Sequence, residues 1–122
     1  MKKILVVDDE AALTRMIKLN LEGTGKYEVR TENEGAKAIE AARAFKPDLI
    51  FLDIMMPDMT GDDIAQELRQ DEELSKTKYV FMTAIVSKKD TDEMGTLVGG
   101  NEFLAKPVTT KDLIETIERV LK

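Results

Sequence analysis

The chain of 122 residues contains no cysteine and no histidine. Disulfides, thiolate chemistry, zinc sites of the usual kind and histidine bases are excluded together, leaving carboxylates, lysines and hydroxyls as the reactive groups. An excess of positive charge is also missing. The formal net charge is -6, which argues against nucleic acid as a direct partner because phosphate binding needs clustered Lys and Arg. No apolar run approaches the ~20 residues of a bilayer span. Met1-Lys2-Lys3 passes straight into a short strand, without the apolar region and cleavage site of a signal peptide. A cytoplasmic protein with no membrane partner is expected. What is present is ordinary for a globular domain: 43% hydrophobic and 34% charged residues, too apolar for disorder. The length suits one domain over residues 1–122 with a single core, and no long polar tract marks a second.

The chain is organised around Asp48 to Gly61. Leu49-Ile50-Phe51-Leu52 reads as a strand buried on both faces, delivering Asp53 to its carboxyl end, where Pro57 and Gly61 turn the backbone into a loop. Ile4-Leu5-Val6-Val7 does the same for Asp8-Asp9, so two adjacent parallel strands would bring three carboxylates to one sheet edge, where open α/β sheets bind ligands. Between them, Leu13, Met16, Ile17, Asn20 and Leu21 form a largely apolar stripe predicting a helix over 10–22. Tyr27 to Thr31 alternates as an edge strand should, and a second helix is expected over 34–45, ended by Lys46-Pro47. Ile64, Ala65 and Leu68 predict a short helix, and Tyr79 to Met82 a fourth strand ending at Thr83-Ala84. A weaker helix over 88–98, a fifth strand at Phe103 to Ala105 and a closing helix carrying Leu113, Ile114, Ile117, Val120 and Leu121 complete the series.

A hydroxyl followed three residues later by an acid recurs at Thr31/Glu34, Thr60/Asp63, Ser87/Asp90 and Thr109/Asp112. Each can satisfy free amides at a helix start, with the acid at the positive end of the helix dipole. Their recurrence after successive strands supports a βα repeat of about five units, hence a parallel sheet with helices on both faces.

The strand ends then supply Asp8, Asp9, Asp53, Thr83 and Lys106, the last followed by Pro107. Three close carboxylates raise one another's pKa unless a cation is shared, and an all-oxygen cluster suits Mg²⁺. With Lys106 and Thr83 holding phosphoryl oxygens, Asp53 would be a nucleophile forming an acyl phosphate.

This constellation resembles the receiver domain of two-component response regulators, and the resemblance covers the whole chain. It is carried by Asp8-Asp9, by Asp53 followed by Met56-Pro57 and Gly61, by Thr83-Ala84, and by Gly99 to Phe103 leading into Lys106-Pro107. The resemblance implies a flavodoxin-like sheet of order 2-1-3-4-5 and Mg²⁺-dependent phosphorylation of Asp53 by a sensor histidine kinase or phosphotransfer protein. It implies a metal site of Asp9, Asp53 and the backbone carbonyl of Met55, supported by Asp8. It also implies a cis Lys106-Pro107 peptide and a switch pair, Thr83 and Phe103, in which the hydroxyl moves toward the phosphate and the ring turns inward. The fourth helix, fifth strand and fifth helix would pass the signal to a downstream protein or to a covalently linked output domain. Gly95 interrupts that fourth helix and Gly99-Gly100 ends it, so it should be the least stable element. Val108 and Val98-Gly99-Gly100 depart from the commonest receiver pattern without touching the phosphoryl chemistry. Met55 and Ile85 flank the path of the hydrolytic water in receivers, and two apolar side chains there imply slow self-dephosphorylation. Such a chain is a signalling module, catalysing only its own phosphorylation and dephosphorylation. No output domain is expected after the closing helix, as in a free-standing regulator or a piece cut from a longer one, and either would be compatible with a phosphorylation-dependent homodimer.

Taken singly these residues have plainer readings. Asp8-Asp9 could cap a helix, Asp53 a loop, Thr83 could satisfy backbone, and Lys106-Pro107 could be a turn with a solvated lysine. Phe103 is core in any reading. A flavin carrier would need a Ser/Thr/Gly-rich phosphate loop where Asp8-Asp9-Glu10 stands. A Mg²⁺ phosphatase would place its nucleophile in an Asp-x-Asp arrangement after the first strand and would need a cap domain. The remaining alternative is a degenerate receiver acting as a phosphorylation-independent binding module, against which the intact acid, threonine and lysine set speaks.

Overall fold

The computed structural model describes residues 1–83, 97–98 and 101–121. Strands form where the apolar runs are unbroken. β1 (Lys2–Val7) buries Ile4 through Val7, β3 (Leu49–Asp53) is buried along its length, and β4 (Lys78–Thr83) is buried from Val80 onward. β2 (Tyr27–Glu32) buries Tyr27 and Val29 while exposing Glu28 and Arg30, the alternation of a strand at a sheet edge. The order is β2-β1-β3-β4-β6-β5, with β5 (Leu97–Val98) and β6 (Asn101–Ala105). Five strands are parallel in the expected order 2-1-3-4-5, β6 being the fifth of them.

Alternation along the strands divides the core into two layers. Leu5, Val7, Ile50, Leu52, Phe81 and Phe103 face α2 (Ala38–Phe45) and α3 (Gly61–Gln70), which contribute Ala41, Ala42, Ile64, Ala65 and Leu68. Ile4, Val6, Leu49, Phe51, Val80 and Met82 face α1 (Ala11–Glu22) and the closing helix, α4 (Thr110–Val120), which contribute Ile17, Leu21, Leu113 and Ile117. Each layer is mostly aliphatic with phenylalanines set into it, and each buried Leu or Ile contributes roughly 1.5–3 kcal/mol by leaving water.

Several local expectations are corrected. Leu97–Val98 does not end a helix but pairs antiparallel with β6, Leu97 opposite Glu102 and Val98 opposite Asn101. With only two residues of sequence between Val98 and Asn101, antiparallel pairing of these near neighbours is the short-range alternative to a helix end. The rest of the helix expected over 88–98, with Gly95, Gly99-Gly100, Ala84, Ile85 and the Ser87/Asp90 pair, lies outside the described residues. On α1 the buried positions are Thr14, Ile17 and Leu21, whereas Met16 is 45% exposed and Asn20 faces solvent: the helix is rotated so that a threonine, not a methionine, meets the sheet.

Two capping pairs form as expected. The Thr60 hydroxyl accepts from the Asp63 amide at 3.1 Å and the Thr109 hydroxyl from the Asp112 amide at 3.0 Å. The Thr31/Glu34 pair does not, because Thr31 is still within β2 and Glu34 is extended. The chain instead enters α2 through a 3₁₀ turn, Gly35–Lys37, whose amides are served from another loop by Asp58.

Candidate functional site

Strand alternation decides which side chains meet. Asp8 stands two residues beyond Val6, Asp53 two beyond Phe51 and Lys106 two beyond Leu104, so all three continue the positions facing α1 and α4. The register supports this, since Val7 lies opposite Leu52 and Asp53 opposite Met82, which in turn lies opposite Leu104. Asp8 is therefore fully buried and Asp53 3% exposed, while Asp9, of the opposite alternation, is exposed. Oxygen atoms of Asp8, Asp9 and Asp53 nonetheless all lie within 4.8 Å of one another.

The Lys106 ammonium enters this cluster, 2.7 Å from Asp8 Oδ2, 3.4 Å from Asp53 Oδ1 and 3.3 Å from Glu10 Oε1. Its backbone is fixed as well: the Lys106 amide donates to the Thr83 carbonyl at 2.9 Å, and the Lys106-Pro107 peptide is cis. Burial alone would lower the pKa of Lys106, but Asp8, Asp53 and Glu10 outweigh it and hold the ammonium above its ordinary value. Asp53 is pushed up to about 6, by burial first and by the charge of Asp8 second. Lys106 and the Met55 amide, which donates to Asp53 Oδ1 at 3.3 Å, offset part of that rise. Ionised Asp53 thus sits in a site short of positive charge.

The donor set fits a hard divalent cation. Asp8 Oδ2 is fully buried and meets Lys106 only as an ion pair, outside hydrogen-bond geometry. Two carboxylates plus a solvent-facing third, all oxygen, match the preference of Mg²⁺ for few protein ligands and several waters.

Thr83 is fully buried at the end of β4. It follows the alternation of Phe81, which lies opposite Phe103, so Thr83 and Phe103 occupy the α2/α3 side, opposite to Asp53. The Phe103 ring is 8% exposed and tilted against Phe81 at 5.3 Å between centroids, already turned inward. Met55, by contrast, is 59% exposed beside Asp53.

Sequence reasoning missed Glu10 and Asn33. Glu10 adjoins the acidic pair, and its contact with Lys106 spans 96 positions. Asn33 Nδ2 donates to the Asp8 carbonyl at 2.7 Å and to Thr14 Oγ1 at 3.0 Å, and no spacing signalled it. Gly61, which the sequence marks as the end of the loop after Asp53, has a packing reason as well. A Cβ there would stand 2.5 Å from the Asp53 carbonyl oxygen.

Comparison with known proteins bears on this geometry. Residues 4–118 match the family described as response regulator receiver domain. The chain is 33% identical over 124 residues to the alkaline phosphatase synthesis transcriptional regulatory protein PhoP of Bacillus subtilis, covering 99% of this chain and 49% of PhoP. It is 35% identical over 123 residues to the DNA-binding response regulator MtrA of Mycobacterium tuberculosis, covering 99% and 51%. The chain thus spans about half the length of these relatives. Among solved structures, the chemotaxis protein CheY4 of Vibrio cholerae superposes with a TM-score of 0.83 at 32% identity, covering 99% of both chains.

Proposed function

Because the chain belongs to the response regulator receiver family, we propose that it accepts a phosphoryl group on Asp53 and switches a partner-binding surface in response. The observation that carries this is the Lys106 ammonium, lodged between the buried carboxylates of Asp8 and Asp53. An Asp53 oxygen attacks phosphorus, the bond from phosphorus to the donor's leaving atom breaks, and the leaving group departs with the electron pair. The donor we propose is a histidine kinase or phosphotransfer protein. Lys106 moves from carboxylate to phosphoryl oxygen, and the Thr83 hydroxyl donates to another. Phe103 fills the space behind Thr83. Asp8, Asp9, Asp53 and the Met55 carbonyl would hold Mg²⁺, which supplies positive charge against the developing negative charge of the phosphoryl group. The output is carried by a protein partner or an attached domain. Among the described residues no helix is long and apolar enough to cross a membrane.

Incubation with acetyl phosphate and Mg²⁺ should add one phosphoryl group per chain by intact mass spectrometry, and EDTA should prevent it. No uptake, together with no beryllofluoride binding, would support the phosphorylation-independent binding module instead. The exposed apolar Met55 offers no group to orient water, so the acyl phosphate should be long-lived. Polar residues at both 55 and 85 should speed its hydrolysis, and an unchanged decay rate in that double variant would refute the assignment.

A further inference from the structure

The two loops that bear the carboxylates do not touch the rest of the molecule only through their own strands. The β2–α2 loop stands between them and is bonded to both. On one side, Asn33 Nδ2 donates to the backbone carbonyl of Asp8 at 2.7 Å and to Thr14 Oγ1 at 3.0 Å. Thr14 is 2% exposed, so its hydroxyl is a fixed anchor in α1 rather than a solvated group. On the other side, the Gly35 and Ala36 amides donate to Asp58 Oδ1 and Oδ2, at 3.3 and 3.0 Å, in the loop following Asp53. These bonds, that of Ala36 foremost, hold the Asp58 carboxyl below its ordinary pKa, so it is the ionised form that is bound. The loops also abut directly: a Cβ on Gly35 would meet Met59 Cβ at 2.9 Å and Asp58 Oδ1 at 3.2 Å. Residues 33–36 are thus a short link, fastened at one end to the acidic pair and at the other to the loop carrying Met55.

We propose that the 33–36 segment is a strut that sets the spacing of the Asp8/Asp9 loop against the Asp53–Met59 loop, with Asn33 and Asp58 as positioning residues for the divalent cation. Neither side chain is one of the three clustered carboxylates, and the inference rests on the cation-dependent reading above. Residues that orient metal-binding groups from behind typically alter affinity by about 10–100-fold when removed. Asp58 is exposed and Asn33 only half-buried, so truncating either leaves the core intact and separates positioning from folding.

The test is isothermal calorimetry of Mg²⁺ alone into the full chain, without phosphodonor. Asn33→Ala and Asp58→Ala should each weaken Mg²⁺ binding by about tenfold, and Asp58→Asn, which keeps an acceptor for one of the two amides but turns an N–H toward the other, should recover only part of the loss. If both ends serve one strut, the double variant binds no more weakly than the weaker single variant. Single variants within about twofold of wild type, a scale well below that of such orienting residues, would overturn the strut. So would a double-variant loss equal to the product of the two. A wild type that shows no Mg²⁺ binding would instead overturn the reading of the site on which the strut depends.

Discussion

Asp53→Asn should end phosphoryl uptake entirely and, in EDTA at neutral pH, should make the protein more stable than the wild type. The two effects have one cause. Asp53 is held at a buried position, its side chain 4% exposed, beside the fully buried Asp8, and its pKa is pushed up to about 6 from 3.8, by burial and then by Asp8. A carboxyl with a folded-state pKa above its unfolded value binds its proton more tightly when native. The fold is therefore favoured as pH falls through 6 toward 4 and penalised above that window. A shift of this size corresponds to about 2–3 kcal/mol at neutral pH, with the attraction of Lys106 already included in it. Asparagine keeps the shape and an oxygen for the Met55 amide but carries no charge to desolvate. Thermal unfolding of the metal-free proteins between pH 4 and 8 should show the wild type gaining stability as pH falls, and the variant gaining less. Added Mg²⁺ should close the gap from the wild-type side. Equal stability of the two proteins at pH 7.5 in EDTA would mean that the acidic cluster carries no strain.

The same cluster shows what could be read from the chain and what could not. The positions of Asp8, Asp53, Thr83 and Lys106 followed from apolar runs that end in polar residues, because a strand buried on both faces must deliver its next residue to the rim. The burial of one member of Asp8-Asp9 and the exposure of the other did not follow from those runs, although the resemblance gave the two acids different roles. That difference depends on the alternation shared by Val6, Phe51 and Leu104, which only strand register fixes: Asp8 is the buried member in contact with Lys106, and Asp9 the exposed one. Glu10 and Asn33 escaped notice because their partners lie 96 and 25 positions away. Neither sits in a spacing that local rules recognise. Local rules failed in two ways. Thr31 looked like a cap, but Asp58 supplied the acceptors at the start of α2 from a distance. Leu97 and Val98 looked like the end of a helix, yet strand pairing claimed them. At Thr31 a bond from a distant loop overrode the local cap, whereas at Leu97 one local preference, for antiparallel pairing with the next few residues, prevailed over another.

Gly61→Ala should be among the most damaging single-methyl additions available to this chain. A Cβ at residue 61 would lie 2.5 Å from the Asp53 carbonyl oxygen, 3.0 Å from Ile54 Cα and 3.1 Å from the Asp53 carbonyl carbon, all backbone atoms with no rotamer to yield. The approach is close because the Gly61 amide donates to the Ile54 carbonyl at 3.0 Å, drawing the first turn of α3 onto the end of β3. Relief requires that strand end or helix to move, which costs roughly 2–3 kcal/mol by the scale of overpacked sites. The atoms displaced are those that carry Asp53, so the loss should reach the chemistry too. A misplacement of about 1 Å commonly costs on the order of a hundredfold in rate. Gly25 supplies the control. Its φ is +76°, but a Cβ there meets nothing within 4 Å, so Gly25→Ala should cost about 1 kcal/mol in backbone strain. Acetyl phosphate uptake with Mg²⁺ should remain at the wild-type rate in that variant. Urea denaturation should thus show both variants destabilised, Gly61→Ala the more so, while only Gly61→Ala slows phosphorylation. Wild-type uptake by folded Gly61→Ala protein would show that the acceptor is not held in place by the turn beneath it.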